Sequence, residues 1–255
     1  MNTILWGIGV KVLLPYLLEK KLPLQQLLEK PTASYRVLSD KDEALLSLRK
    51  KLGSVTLVFG SRDTGKTELC YRFMEFLGRP CYAVSPQQRP PPWIKRLKLE
   101  DIFKEVPPCS TLFLDDLPAY MSNKDYNDAL ARAVEKVIPM VRHAPAPPEF
   151  PIGRCHLIFA SQSAAQADKY ILDCDLAFLK PLGLLTPDME RPNVRRIYEK
   201  LVDPIFEGKS ERWTQRHAFM LSRQYKGLID IKRAINSPMV HPNQVDEPTY
   251  EEHDR

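Results

Sequence analysis

The chain has 255 residues, 44% apolar and 27% charged, with a formal net charge of +5; such a chain buries one sizeable core, and disorder throughout is excluded. With 23 prolines and only 10 glycines, its loops are stiff rather than floppy. From Lys180 to Arg233, twelve Lys and Arg stand against seven Asp and Glu, while Asp246 to Arg255 holds five acids and one Arg, a distribution compatible with a polyanionic partner or with a plainly solvated surface.

Residues 3–18 are rich in Ile, Leu, Val and Trp but are interrupted by Lys11 and Pro15. They fall short of the ~20 apolar residues that a bilayer span needs. A signal peptide is not expected, because no positive charge precedes the run and no small-residue cleavage site follows it. Two Leu-rich helices are expected over 3–19 and 23–30, the second starting at Pro23. They pack on the body of the domain, lie on a membrane or dock to a partner. A further helix over 40–50 takes Ser39 or Asp40 as its cap and ends near Gly53.

The period then changes. Val55-Thr56-Leu57-Val58-Phe59 is a continuous apolar and β-branched run, the mark of a strand buried on both faces. A helix over 66–77 closed by Gly78 and Pro80 follows, then a strand over 81–84, a proline loop over 85–92 and a helical stretch over 93–105. Thr111-Leu112-Phe113-Leu114 reads as a third buried strand and ends on Asp115-Asp116. A long helix over 123–143, a second proline loop over 144–151 and strands over 155–160 and 177–179 come next. A helix over 187–202 and a strand pair over 217–222 and 227–231 complete the pattern. Strands alternating with helices predict an α/β fold with a mostly parallel sheet covered on both faces. The expected organisation is an N-terminal helical extension over 1–52, one nucleotide-binding domain over 53–236 and an acidic, flexible tail over 237–255. The five cysteines, with no Cys-x-x-Cys pair, read as buried thiols of a reducing compartment.

Chemistry concentrates at one place. Gly60-Ser61-Arg62-Asp63-Thr64-Gly65-Lys66-Thr67 fits G-x-x-x-x-G-K-[ST] without mismatch, directly after a buried strand and at the mouth of a helix. The glycines let the backbone wrap phosphates against the helix N-terminus, and the loop from Gly60 through Thr67 with Glu68 is the expected cradle. Lys66 is expected to reach the β- and γ-phosphates of ATP, and the Thr67 hydroxyl to hold Mg²⁺. Hydrolysis needs a further carboxylate on the metal and a group that orients the attacking water. Asp115 is the expected metal-side acid and Asp116 the water-polarising one. Gln162, after the apolar run His156 to Ala160, carries an acceptor and two donors for a phosphate and a water.

A phosphate loop, an apolar strand ending in Asp-Asp and a later strand ending in Ala160-Ser161-Gln162-Ser163 together resemble the HerA/FtsK superfamily of P-loop ATPases. The pattern is most similar to the A32-type viral genome-packaging ATPases, and the resemblance runs from Val55 to Pro181. It implies a RecA/ASCE-like sheet and an oligomeric ring that translocates double-stranded DNA. It also implies an arginine acting on the neighbouring subunit's site, placed at Arg142 with Arg154 as competitor. Residence in the host cytoplasm and on the virion follows from the same resemblance, with the apolar N-terminus docking to a capsid vertex or viral membrane. The basic residues after Lys180, among them Arg191, Arg195, Arg196, Arg212, Arg216 and Arg223, would then track a duplex backbone without reading its sequence. Helicase loaders of the AAA type and membrane-linked phage assembly ATPases share parts of the pattern.

Overall fold

The computed structural model describes residues 37–38, 41, 43–51, 53–85, 90–115, 154–162, 174–183, 190–222 and 226–231. The helices expected over 3–19, 23–30 and 123–143, and the tail over 237–255, lie outside them.

Apolar runs make the centre of the sheet. β2 (Ser54–Phe59), β5 (Thr111–Leu114) and β6 (His156–Ser161) are buried at every position, as strands covered on both faces must be. β3 (Cys81–Val84) and β7 (Leu176–Leu179) each expose one residue partly. These five run parallel, in the spatial order β7-β2-β6-β5-β3. The hairpin β8 (Ala218–Ser222) and β9 (Lys226–Ile229) continues antiparallel beyond β7. The order reverses at β2, so the crevice at its carboxyl end is where an open α/β sheet binds ligands. This is the P-loop NTPase architecture that the pattern of elements predicts, with β6 inserted between the strand before the phosphate loop and the strand that ends in acids.

The strands' alternation divides the core. Val58, Ala83, Phe113, Ile158, Ala160, Phe178 and Met220 pack with α1 (Glu43–Lys50) and α2 (Lys66–Leu77) on one face. On the other face Leu57, Phe59, Leu112, Leu114 and Phe159 pack with Ile102 of α3 (Ile102–Glu105) and with Tyr198, Leu201, Val202 and Phe206. α2 forms because Leu69, Cys70, Phe73, Met74 and Leu77 recur on one side of a helical turn, each large apolar residue contributing about 1.5–3 kcal/mol on burial. It stops at Gly78, whose φ of 67° lets its N–H reach back to Glu75 and Met74.

Several boundaries differ from the sequence expectation. The 93–105 stretch is not one helix: β4 (Ile94–Arg96) pairs parallel with β3, and a 3₁₀ turn (Leu99–Asp101) leads into the short α3. Ile94 N–H closes a turn onto Pro91, and an edge of β3 needing partners decides strand over helix. The 187–202 helix begins, among the described residues, at Pro192, because the residue before a proline is pushed out of helical geometry and Arg191 is extended. It runs as α4 (Pro192–Ile197), a π-helical turn (Tyr198–Val202) and α5 (Asp203–Phe206). Pro204 lacks the N–H that would bond to Lys200 and crowds that carbonyl, which explains the wide turn just before it. The strands expected over 155–160 and 227–231 are His156–Ser161 and Lys226–Ile229. Two elements have no counterpart in the expectation: α6 (Glu211–Arg216) and β1 (Val37–Leu38), which pairs parallel with β9. Residues 37–50, assigned from sequence to the extension, thus supply a strand of the sheet and, through Leu45 and Leu48, part of the core.

At the sheet's other end His156 is fully buried with its Nδ1 2.7 Å from Ser54 Oγ. Burial first, then the charges of Arg79 and Lys51, pull its pKa from 6.5 to about 3. The unfolded chain therefore takes up a proton below about pH 6.5 that the folded chain refuses, and stability falls as pH drops through that window. Denaturant titration at pH 5 should show about 2 kcal/mol less stability than at pH 7 from this residue. In His156→Gln that part of the difference disappears; an unchanged slope would place the acid sensitivity elsewhere.

Candidate nucleotide site

The phosphate loop joins β2 to α2. Thr64 Oγ1 and Lys66 Nζ both donate to Ser61 C=O, at 2.8 and 2.7 Å, and fold the loop on itself. Asp63 (φ 60°) and Gly65 (φ 79°) take the left-handed conformation that turns the chain into the helix. The helical ladder begins at Leu69 N–H to Gly65 C=O, 3.0 Å, so the amides from Gly65 to Glu68 face out of the helix end, where an anion meets the positive end of the dipole.

Within the motif the structure separates roles that the sequence lumped together. Ser61 N–H and Oγ both donate to Pro181 C=O, at 2.9 and 3.2 Å, and so anchor the loop to the segment after β7. Glu68 lies 3.8 Å from Arg72, one turn along, which leaves its backbone amide as the part that faces the loop's concavity. Arg62 and Asp63 are exposed. Gly60 is required by closeness: a Cβ there would stand 2.7 Å from Lys180 Cβ and 3.0 Å from Thr64 Oγ1.

Strand parity places the rest. Two residues beyond Val58, Ala160, Phe178, Phe113 and Ala83, all on the α2 face, come Gly60, Gln162, Lys180, Asp115 and Ser85. Because side chains repeat every two residues in a strand, these five share that face. The pairs Phe59↔Ser161 and Phe59↔Leu179 set Gly60 level with Gln162 on one side and Lys180 on the other. Val84↔Leu114 sets Ser85 level with Asp115. The parallel sheet thus brings residues more than 90 positions apart into one row, strand to strand about 4.8 Å. Lys66 and Thr67 begin α2 just after β2, and Asp115 and Gln162 directly follow β5 and β6, so all four lie toward the carboxyl ends of these strands. Asp116 and Arg142 lie outside the described residues. Arg154, exposed and left-handed at φ 61°, precedes β6 at the opposite end of the sheet, roughly 20 Å from the loop at ~3.3 Å per residue; it does not reach its own subunit's site.

The reading from sequence missed the surroundings of Asp115. Ser85 Oγ donates to Asp115 Oδ2 at 3.2 Å, and Arg96 donates to Ser85 C=O at 3.0 Å. Tyr71, one turn beyond Thr67, packs edge-on against Phe113, and its buried hydroxyl has no hydrogen-bond partner among the described residues. Burial, then the Asp115 carboxylate, raise its pKa. The same two causes hold the buried Cys70 thiol well above its ordinary value, so it is inert. A polar residue at a strand end with the parity of Asp115 is the signal that would have found Ser85.

Mg²⁺ suits this donor set. Among the described residues no group of three or more His, Cys, Asp or Glu could grip a metal unaided, and Mg²⁺ is held by one or two protein oxygens while keeping water and phosphate ligands. Thr67 and a carboxylate bonded to Ser85 would supply that number. Ser85→Ala should raise the Mg²⁺ concentration needed for half-maximal turnover about 10-fold, the usual effect of losing an outer partner; an unshifted Mg²⁺ titration would make Ser85 a packing residue.

The basic stretch is exposed at Arg191, Arg195, Arg196, Lys200, Lys209 and Arg212. Arg216 is otherwise committed, its guanidinium bonded to both Asp230 oxygens at 2.7–3.0 Å, and Arg223 lies outside the described residues. Among the described residues no helix is long and apolar enough to cross a membrane.

No protein-family profile and no curated protein matches the sequence. Solved structures similar to it include the genome packaging NTPase B204 from Sulfolobus turreted icosahedral virus 2 in complex with AMP, at 11% identity and TM-score 0.42, covering 69% of this chain and 96% of that one. Others are a RuvB mutant from Thermotoga maritima (14%, TM-score 0.39, 68% of this chain and 52% of that one) and the cytoplasmic domain of the Thermomonospora curvata type VII secretion ATPase EccC (13%, 0.43, 73% and 24%). The likeness is one of chain trace; the reading of the site rests on its own residues.

Proposed function

We propose that this protein is a Mg²⁺-dependent ATP hydrolase that works as a ring and drives double-stranded DNA through it, in the manner of a viral genome-packaging motor. The observation that carries the reading is the row at the sheet's carboxyl edge: a phosphate loop with Gln162 level beside it and Asp115 on the next strand, all on the face of the helix that Lys66 and Thr67 begin.

In this reading the first-turn amides and Lys66 take the phosphates, Lys66 exchanging its bond to Ser61 C=O for phosphate oxygens. Thr67 and Asp115 would hold Mg²⁺, which would supply positive charge against the phosphates. Asp116 accepts a proton from the attacking water, and Gln162 aligns that water on the γ-phosphorus. An arginine from the neighbouring subunit, Arg142 foremost and Arg154 second, stabilises the charge that develops. The exposed cations from Arg191 to Arg212 contact duplex phosphates without reading bases, which suits a protein that must slide. The apolar N-terminus docks the ring to a capsid vertex or an internal viral membrane, and host cytoplasm and virion are its places of work.

The test is ATP turnover in Mg²⁺ with and without long duplex DNA across a salt series. Stimulation that grows with duplex length and fades with salt supports a translocase. Turnover indifferent to DNA would overturn translocation and leave a loader or assembly ATPase. No turnover would overturn the enzyme.

A further inference from the structure

Lys180 is fully buried and has no part in the chemistry above, yet it joins the phosphate loop to α6. Its N–H donates to Phe59 C=O at 2.8 Å, and its Cβ fills the space that a side chain at Gly60 would need. Its Nζ donates to the carbonyls of Thr214, Gln215 and His217 at 2.9, 3.0 and 2.9 Å. These belong to the last turn of α6 and the residue after it, where carbonyls have run out of helical donors and a cation is favoured. The same turn also rests on the loop's other glycine: a Cβ on Gly65 would stand 2.7 Å from Gln215 O, the oxygen that Lys180 Nζ also holds. Gln215 Nε2 also donates to Asp63 C=O at 3.3 Å. Both glycines of the motif are therefore backed by one bridge, Lys180 behind Gly60 and the Lys180-pinned end of α6 behind Gly65.

We propose that Lys180 is a positioning residue for the nucleotide: by pinning the end of α6 against Gly65 it sets the curvature of the phosphate loop, and ATP affinity depends on it although its ammonium touches no phosphate. The inference rests on the reading of this loop as an ATP site. Three acceptors around one nitrogen match the three donors of an ammonium, and the neutral amine has only two. Loss of the proton therefore strips one carbonyl of its donor and loosens the brace. Burial, then the charge of Arg72, with Lys66 adding to it and Cys70 and Glu68 opposing, brings Lys180 down to about 7. The other charged or titratable groups near this end of α6 are Arg216, His217 and Asp230, the first and last bonded to each other.

The test is calorimetric titration of the full chain with a non-hydrolysable ATP analogue and Mg²⁺, well below the melting temperature. Lys180→Met, which keeps the apolar stem against Gly60, should raise Kd at least ~10-fold at pH 6.5. Gln215→Ala, at an exposed side chain, should raise it about 3-fold while the protein stays folded. Between pH 6 and 8 the advantage of wild type over Lys180→Met should shrink, the nucleotide's own titration being common to both. A merely structural lysine would lower the melting temperature and leave Kd alone. Wild-type affinity in both folded variants overturns the proposal; if Lys180→Met does not fold, unaltered binding by Gln215→Ala overturns it. Wild-type protein that binds no nucleotide overturns the ATP reading itself, and this inference with it.

Discussion

Lys66→Ala should cut ATP turnover by at least ~10²–10³-fold, the scale set by removing one fixed donor from a developing negative charge. The loop itself survives the change, since Thr64 Oγ1 still closes it onto Ser61 C=O and Ser61 still holds Pro181. The loss is therefore of chemistry rather than of fold, and the variant's melting temperature should match wild type within a few degrees. Two effects combine at this side chain. Its ammonium sits one residue past Gly65, at the positive end of α2, so it adds a mobile charge to fixed amide dipoles. Its present acceptor is a neutral carbonyl, and a triphosphate offers charged oxygens, for which hydrogen bonds are about twice as strong. Steady-state hydrolysis together with nucleotide titration checks the prediction; unimpaired turnover would refute the phosphate-loop assignment.

Asp116→Asn should leave nucleotide binding close to wild type and slow hydrolysis about 10²–10⁴-fold, the usual contribution of a positioned acid–base group. The amide is nearly isosteric with the carboxylate but cannot take a proton from water. Asp115→Asn is the informative contrast: on the proposed role as a metal-side acid it should shift the Mg²⁺ requirement as well as the rate. A single-turnover experiment with ATP already bound separates the two. Asp116→Asn with a normal chemical step would move the water-orienting role to another residue, Gln162 being the next to try, since it stands level with Gly60 at the end of β6.

Most of the central sheet is legible in the sequence. β2, β3, β5, β6 and β7 are short apolar runs, most of them bounded by glycine, proline or acids, and such runs signal buried parallel strands whatever surrounds them. α2 was legible to the residue, Lys66 to Leu77, because a glycine marks each end. The edge of the sheet was not. Val37–Leu38 and Ile94–Arg96 are too short to show a period, and what makes them strands is an unpaired neighbour, β9 or β3, brought alongside by the rest of the chain. α6 was missed for a related reason: six residues with no buried side chain carry no amphipathic signal. Its position is set by Lys180 and Gly65, which are contacts of the folded state.

What the order of residues decides by itself is therefore local: which stretches are buried strands, where the phosphate loop lies, and which acids end β5. Tertiary structure decides which of those groups meet. Ser85 beside Asp115, Gln162 beside Gly60, and a buried ammonium spanning from β7 to α6 all follow from strand order and register, and neither is encoded in a short window of sequence. The physical cause is that a strand dictates only its own two-residue alternation, whereas the partner on each side is selected by the burial of the whole sheet between its two helical layers.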